Sequence, residues 1–312
     1  MPFKKNKKPT IDALDLSWVL QVKNYKLHLD KKHCVGCQIC FQACPKQAIS
    51  IQKQSKQDGI VQRAKIDVDL EKCNFCGICD VTCPYGAITV TQNNNHELSI
   101  ISKGSYPELL KTITVNTRKC DKICTACKTA CPLSLIKISK VGYDGKPVTD
   151  LTTLSPLGLK RVQIAVDINK QYCPTCRVCE FKCSPGAMKV TKVFEGKTYI
   201  DQTKCPPDCK DCQDVCPITG TIAQDESKKI YINDQTCTFC GACQNVCPQP
   251  EALTIRRTKI HHTPIHSGVW NKTLERITSP TDAVKEFKEQ AGYTRRELVQ
   301  HRFEAEERKK TK

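Results

Sequence analysis

The stretch Cys73-Asn-Phe-Cys76-Gly-Ile-Cys79-Asp-Val-Thr-Cys83-Pro84 constrains this chain more than any other feature. Three cysteines two residues apart fit one tight loop, so their thiolates can converge on a single inorganic group. A fourth follows three residues later, and the proline behind it leads the chain away. The pattern occurs six times: at Cys34, Cys37, Cys40 and Cys44; at Cys73, Cys76, Cys79 and Cys83; at Cys120, Cys124, Cys127 and Cys131. It returns at Cys173, Cys176, Cys179 and Cys183, at Cys205, Cys209, Cys212 and Cys216, and at Cys237, Cys240, Cys243 and Cys247. These runs use all 24 cysteines of the chain. Complete runs of this spacing hold [4Fe–4S] clusters, so the sequence predicts six of them.

Other uses of cysteine fit poorly. Disulfides need an oxidising compartment, and the opening Met-Pro-Phe-Lys-Lys-Asn-Lys-Lys has no apolar stretch behind its basic residues. Zinc sites pair Cys-x-x-Cys units across a longer loop instead of crowding three cysteines into one. The runs at Cys120 and Cys205 have three residues between their first two cysteines. Alone, that spacing resembles the radical-SAM motif, whose enzymes leave one iron open to substrate. Here Cys131 and Cys216 complete the ligand sets, and too little chain separates the motifs for a catalytic barrel. The expectation is a chain with no catalytic site of its own.

Aromatic residues make up only 6% of the 312 positions, so a conventional core is thinly supplied and each cluster must act as a staple. The formal charge of +17 counts cysteine as neutral. Six clusters with four thiolates each contribute roughly −12 oxidised to −18 reduced, which brings the loaded protein to between about +5 and about −1. Much of the basic excess is therefore counter-charge, and no basic and aromatic interleaving suggests base stacking; no nucleic-acid partner is expected. No run of 18 apolar residues occurs, so no membrane span is expected. A soluble, cytoplasmic, oxygen-labile protein follows.

A repeat extends beyond the cysteines. Asp or Asn stands four residues before each run, at Asp30, Asp69, Asn116, Asn169, Asp201 and Asn233. An Asx side chain there can bond the backbone two residues on, ending a strand and opening the cluster loop. Short alternating strands precede the runs and follow most of them, with room for about one helical turn between. Strand, cluster loop, short helix and strand resemble half a bacterial ferredoxin. The fold class expected is α+β: three tandem bacterial-type two-[4Fe–4S] ferredoxin-like modules plus a helical C-terminal tail.

Pairing the runs in order gives a basic N-terminal segment over 1–22, ferredoxin domains over 23–92, 112–192 and 197–257, and a docking tail over 279–312. The rival arrangement nests the runs at Cys173 and Cys205 inside a unit made by those at Cys120 and Cys237. In two-cluster ferredoxins of this kind the fourth cysteine of each run ligates the other cluster. With sequential pairing the resemblance implies Cys34, Cys37 and Cys40 with Cys83, and Cys73, Cys76 and Cys79 with Cys44. It implies Cys120, Cys124 and Cys127 with Cys183, and Cys173, Cys176 and Cys179 with Cys131. The last sets are Cys205, Cys209 and Cys212 with Cys247, and Cys237, Cys240 and Cys243 with Cys216.

Some positions break the repeat. The segment 141–161 reads as a long loop inside the second domain. His261, His262 and His266 lie in a polar Thr-Pro stretch and read as poor metal ligands. Phe75 and Phe239 hold matching places and read as packing over clusters. Arg177 follows Cys176 and should raise the potential of its cluster by favouring the reduced, more negative form. Capping signals at Ser279–Asp282 and at Thr294 with Glu297 predict two charged helices in the tail.

The tandem runs and the absence of a catalytic domain resemble a polyferredoxin, and within that group the F subunit of archaeal formylmethanofuran dehydrogenase. The resemblance implies single-electron relay between a soluble ferredoxin or a reductase and a catalytic subunit of a multi-subunit redox complex. Polyferredoxins of a hydrogenase or heterodisulfide reductase complex are the alternative, and a zinc-type nucleic-acid module a remote one.

Overall fold

The computed structural model describes residues 4–54, 56–142, 144–148, 155–249 and 251–279, with Ala283, Lys288, Arg296 and Gln300 beyond them. Strands β1 (Lys4–Pro9) and β2 (Ala13–Val19) lead into β3 (Asn24–Asp30), the first cysteine loop, α1 (Ile39–Ala43) and β4 (Ile49–Gln52). A second half follows with β5 (Lys65–Val68), α2 (Ile78–Val81) and β6 (Ile88–Gln92). β3 pairs with β6 and β4 with β5, both antiparallel, so each outer strand meets the partner half. Alternation turns Leu27 and Leu29, Ile66 and Val68, and Ile88 and Val90 inward, and these close the core around the cysteines.

The N-terminal segment is more than a basic lead. Leu14 and Leu16 alternate inward on β2, so this strand adds to β3 and extends the sheet to the order β1-β2-β3-β6. β1, with four lysines and Pro9, lies on the edge, where such residues block further pairing. Lys5 Nζ donates to Glu71 at 2.6 Å, and Lys7 reaches Asp67.

After a single turn, α3 (Ser99–Ser102), the pattern repeats as β7 (Ile113–Val115), α4 (Ala126–Ala130) and β8 (Ile136–Val141). Beyond α5 (Pro156–Arg161) come β9 (Gln163–Ile168), α6 (Val178–Phe181) and β10 (Met188–Val190). β7 pairs with β10 and β8 with β9, so the third and fourth runs share one unit. The fifth and sixth runs share another, built from β11 (Phe194–Ile200), α7 (Asp211–Val215), β12 (Ile222–Gln224), β13 (Ile230–Ile232), α8 (Ala242–Val246) and β14 (Leu253–Ile260). There β11 pairs with β14 and β12 with β13. The strands therefore pair in sequence order and not in the nested one. β11 and β14 overrun the expected 197–257 span because Phe194 pairs with Ile260.

The polar stretch after β14 contains an unforeseen helix, α9 (Gly268–Ile277). Trp270, Leu274 and Ile277, four and three residues apart, form one buried stripe. They join a core with Val35, Ile39 and Ala43 of the first unit and Phe194 and Phe239 of the third. The cysteine-loop helices run only four or five residues, too short to persist without their anchored ends. No helix among the described residues is long and apolar enough to cross a membrane.

Candidate iron–sulfur sites

Five of the six cysteine loops open on an Asx turn. Asp30 Oδ1 accepts from Lys32 N at 2.8 Å, Asp69 Oδ1 from Glu71 N at 2.9 Å and Asn116 Oδ1 from Arg118 N at 3.2 Å. Asp201 and Asn233 repeat the contact with Thr203 N and Gln235 N. The loops then need left-handed backbone. In the second half of each unit the residue after the second cysteine takes it: Gly77 at φ 85°, Arg177 at 69° and Gly241 at 88°. The first halves place Gln38, Thr125 and Lys210 there with φ of −105°, −125° and −121°. The two halves of a unit are thus distinct in backbone as well as in order.

The thiols gather in fours across the halves. Cys83 lies near enough to Cys34, Cys37 and Cys40 to raise their proton affinity, as Cys44 does for Cys73, Cys76 and Cys79. Cys183 acts on Cys120, Cys131 on Cys173, Cys176 and Cys179, and Cys247 on Cys205, Cys209 and Cys212. Cys216 acts on Cys237 and Cys243. Three of these sets line largely closed apolar cavities. Cys131, Cys173, Cys176 and Cys179 surround one with about 400 Å³ of empty space, mouth included. Cys44, Cys73, Cys76 and Cys79 surround a second of about 380 Å³, and Cys216, Cys237, Cys240 and Cys243 a third of about 340 Å³.

Burial is the first cause of the thiols' high proton affinity: it pushes Cys34 and Cys176 up to about 11, and Cys179, Cys212 and Cys237 up to about 12. Such thiols ionise when a metal takes the proton's place, which ties loading to pH. Backbone N–H groups are already aimed at the fourth cysteines. Ala48, Ala87, Leu135 and Ala187 donate to the Sγ atoms of Cys44, Cys83, Cys131 and Cys183 at 3.2–3.4 Å. These bonds would favour the thiolate and raise a cluster's potential. Four thiols around an apolar cavity suit a cubane cluster. Among the described residues, no three His, Cys, Asp or Glu side chains are placed to hold a single metal ion.

The other singled-out residues have structural partners. His261 Nε2 meets Glu195 at 2.6 Å, and His262 accepts from Trp270 Nε1 at 3.2 Å. Phe75 packs against Trp18 and Tyr25, and Phe239 lies under the Lys192 ammonium. Arg177 does not offer a free charge: it pairs with Glu180 at 2.9 Å and covers the Phe181 ring. The expected tail helices lie outside the described residues, apart from Ser279 and the four isolated positions.

Residues 33–87 and 197–248 each match the model of the 4Fe-4S dicluster domain family. The chain is 36% identical over 58 residues to a ferredoxin of Methanothermococcus thermolithotrophicus, 18% of this chain and 93% of that protein. The chain belongs to the ferredoxin family. Its repeated runs make it a polyferredoxin, and the two matched domains account for four [4Fe–4S] clusters. The polyferredoxin is also 29% identical, over 28% of its length, to the polyferredoxin-like subunit of the aliphatic sulfonate oxidoreductase of Pyrococcus furiosus. It spans 55% of that relative. Among solved structures it superposes with a TM-score of 0.77 and 28% identity on a chain of the formate dehydrogenase–heterodisulfide reductase–formylmethanofuran dehydrogenase complex of Methanospirillum hungatei. That match covers 89% of this chain and 92% of the other.

Proposed function

We propose that this polyferredoxin is a non-catalytic electron-transfer subunit carrying six [4Fe–4S] clusters. Each is held by three cysteines of one run and the fourth of its partner run. The supporting observation is the mixed composition of the cavities, where Cys131 completes the set of the fourth run, Cys44 that of the second and Cys216 that of the sixth. When bound, the clusters supply reversible one-electron chemistry. The protein's part is to ligate them, dry their surroundings and fix their spacing. Four thiolates per set leave no position for a substrate.

The likeness to the Methanospirillum assembly favours a place in a formylmethanofuran dehydrogenase complex, feeding or draining a catalytic subunit. Polyferredoxins of hydrogenase or heterodisulfide reductase complexes remain the alternative. All 24 cysteines are free, which suits a reducing cytoplasm. Cys124 is the exposed cysteine among them, and Arg118, Lys119 and Lys128 are exposed around it. We assign the meeting point with an acidic single-electron carrier, a soluble ferredoxin or reductase, to this face.

Iron and sulfide analysis with EPR of the anaerobically purified protein tests the core of this reading. About 24 iron and 24 acid-labile sulfide per chain are expected from six four-iron sets. Zinc in place of iron would overturn it. The segment 279–312 is assigned to docking on a partner subunit. A chain ending after Lys288, which keeps the buried Ala283, should retain full iron and lose its partners in a pull-down.

A further inference from the structure

Three of the six cysteine sets lie near one another across the unit boundaries: those completed by Cys83, by Cys131 and by Cys216. A cation stands at each of their three crossings. Between the first and second units, Lys111 Nζ donates to Pro84 O at 2.8 Å and to Gln171 O at 2.6 Å. Pro84 follows Cys83, and Gln171 precedes Cys173 by two residues, so one ammonium ties both sets. The backbones touch here. A Cβ on Gly86 would lie 2.6 Å from Gln171 O, and Gly86 has φ +60°, so only glycine fits. His33 stacks on Tyr172 at 3.9 Å across the same crossing.

Between the second and third units stands Lys192. Its Nζ donates to Cys237 O at 2.8 Å and to Asp234 O, and lies 4.7 Å from the centre of the Phe239 ring. The next residue, Val193, donates its N–H to Thr175 Oγ1 at 2.8 Å, which brings the ammonium near Cys176. Between the first and third units, Arg257 is buried. It donates to Cys240 O at 2.9 Å, to Phe239 O at 2.8 Å and to Gln42 Oε1 of α1 at 3.1 Å. Cys37 and Cys240 lie close enough to influence each other across this crossing. Asn245 Nδ2 bonds Gly36 O at 2.9 Å, and the Tyr85 and Thr238 hydroxyls meet at 2.8 Å.

A counter-charge serving one cluster needs contacts within one unit only. These three cations reach into two units each, and together they join every pair. We propose that Lys111, Lys192 and Arg257 are positioning residues that make the three inner cysteine sets one electron-sharing junction. Each cation favours added negative charge on the two sets it lies between. This deepens the six-cluster relay reading and rests on it. The arriving electron adds one negative charge to a set, and a cation in a poorly solvated crossing stabilises that charge on either side. An electron entering from any one outer set (completed by Cys44, Cys183 or Cys247) thereby gains access to both other units. The path branches three ways and is not a single line.

Lys192→Met, Lys111→Met and the double variant, made in the full chain and purified anaerobically with their partners, test the junction by iron analysis and EPR-monitored redox titration. Iron content should hold. Each single variant should lower two midpoints, with about tenfold weaker electron affinity at each, which is about 59 mV for one electron. The double variant should move three midpoints, and one of them, the set completed by Cys131, should move about twice as far. Lys192→Arg should restore the wild-type midpoints. Unmoved midpoints, one moved midpoint per variant, or failure of arginine to restore them would overturn the junction. Should Lys192→Met fail to load iron, Lys111→Met and Lys192→Arg carry the same test. A wild-type protein without reducible low-potential centres would instead overturn the relay reading itself.

Discussion

Replacing Trp270 by alanine tests how the first and third units are locked together. The side chain is fully enclosed, edge-on to Tyr106 at 5.1 Å and to His262 at 4.7 Å, with its Nε1–H donated to His262. Its helix also caps the crossing between the first and third units: Arg276 reaches Cys44 O, and Ile277 O accepts from Arg257. Truncating a buried tryptophan costs about 3–5 kcal/mol. Cluster loss makes unfolding irreversible, so the readable quantity is a rate. With about 4 kcal/mol lost and roughly a third of it already felt in the transition state, unfolding quickens by about 100-fold. The assay is anaerobic bleaching of the cluster absorbance in guanidinium. Trp270→Phe keeps most of the packing and loses one hydrogen bond of about 1 kcal/mol, so it should bleach only about threefold faster. If Trp270→Ala bleaches within about threefold of wild type, α9 does not fasten the core and the packing argument fails.

Three further outcomes are expected. Cys131→Ser should disturb the EPR signal of the set built on Cys173, Cys176 and Cys179 and leave the one built on Cys120, Cys124 and Cys127 intact; the reverse would contradict cross-ligation. Lys119→Glu with Lys128→Glu should slow reduction by an acidic carrier at low salt and lose that effect at high salt, with unchanged midpoints; an unchanged rate would remove this face as the meeting point. Glu180 is held below its ordinary 4.5, first by its bond to Arg177, so its stabilisation is present above that value and lost as pH falls through the lower folded one. Bleaching rates of wild type and Glu180→Gln should therefore converge as the medium is acidified below 4.5, and a constant gap would refute the assignment.

The cysteine runs made the half-units legible because a ligand set dictates both loop and spacing. Asx residues marked the turns for the same reason: a short side chain must accept the N–H two residues on. What the sequence hid was how the units meet. The stripe Trp270, Leu274 and Ile277 was present, yet it lay between Gly268 and Ser279 in a polar context and gave only three apolar contacts' worth of signal. The β2 strand was masked by the lysines of β1, although Leu14 and Leu16 alternate as any half-buried strand does. Arg177 was misleading in another way. Its place after Cys176 suggested a free charge on the cluster, but the partner that neutralises it, Glu180, stands one helical turn on and became visible only with α6 in place.

The net charge of +17 thus resolves into populations with different physics. Lys192 and Arg257 are buried, Lys111 is half-buried, and all three donate to carbonyl oxygens that compensate their lost hydration. Burial drives the Lys111 ammonium down to about 8, while the thiols of Cys83 and Cys173 pull it back up. Holding a cation against that pull would be a net cost in an empty scaffold. With anionic clusters on both sides the same placement becomes favourable, since each cluster supplies the charge that burial demands. The buried placement of the cations therefore leans on the clusters, and the crossings they occupy are most favourable when the sets are filled. Exposed lysines such as Lys119 and Lys128 need no such partner: solvated and screened, they act over a Debye length on what approaches, and leave the potentials inside to the three cations at the crossings.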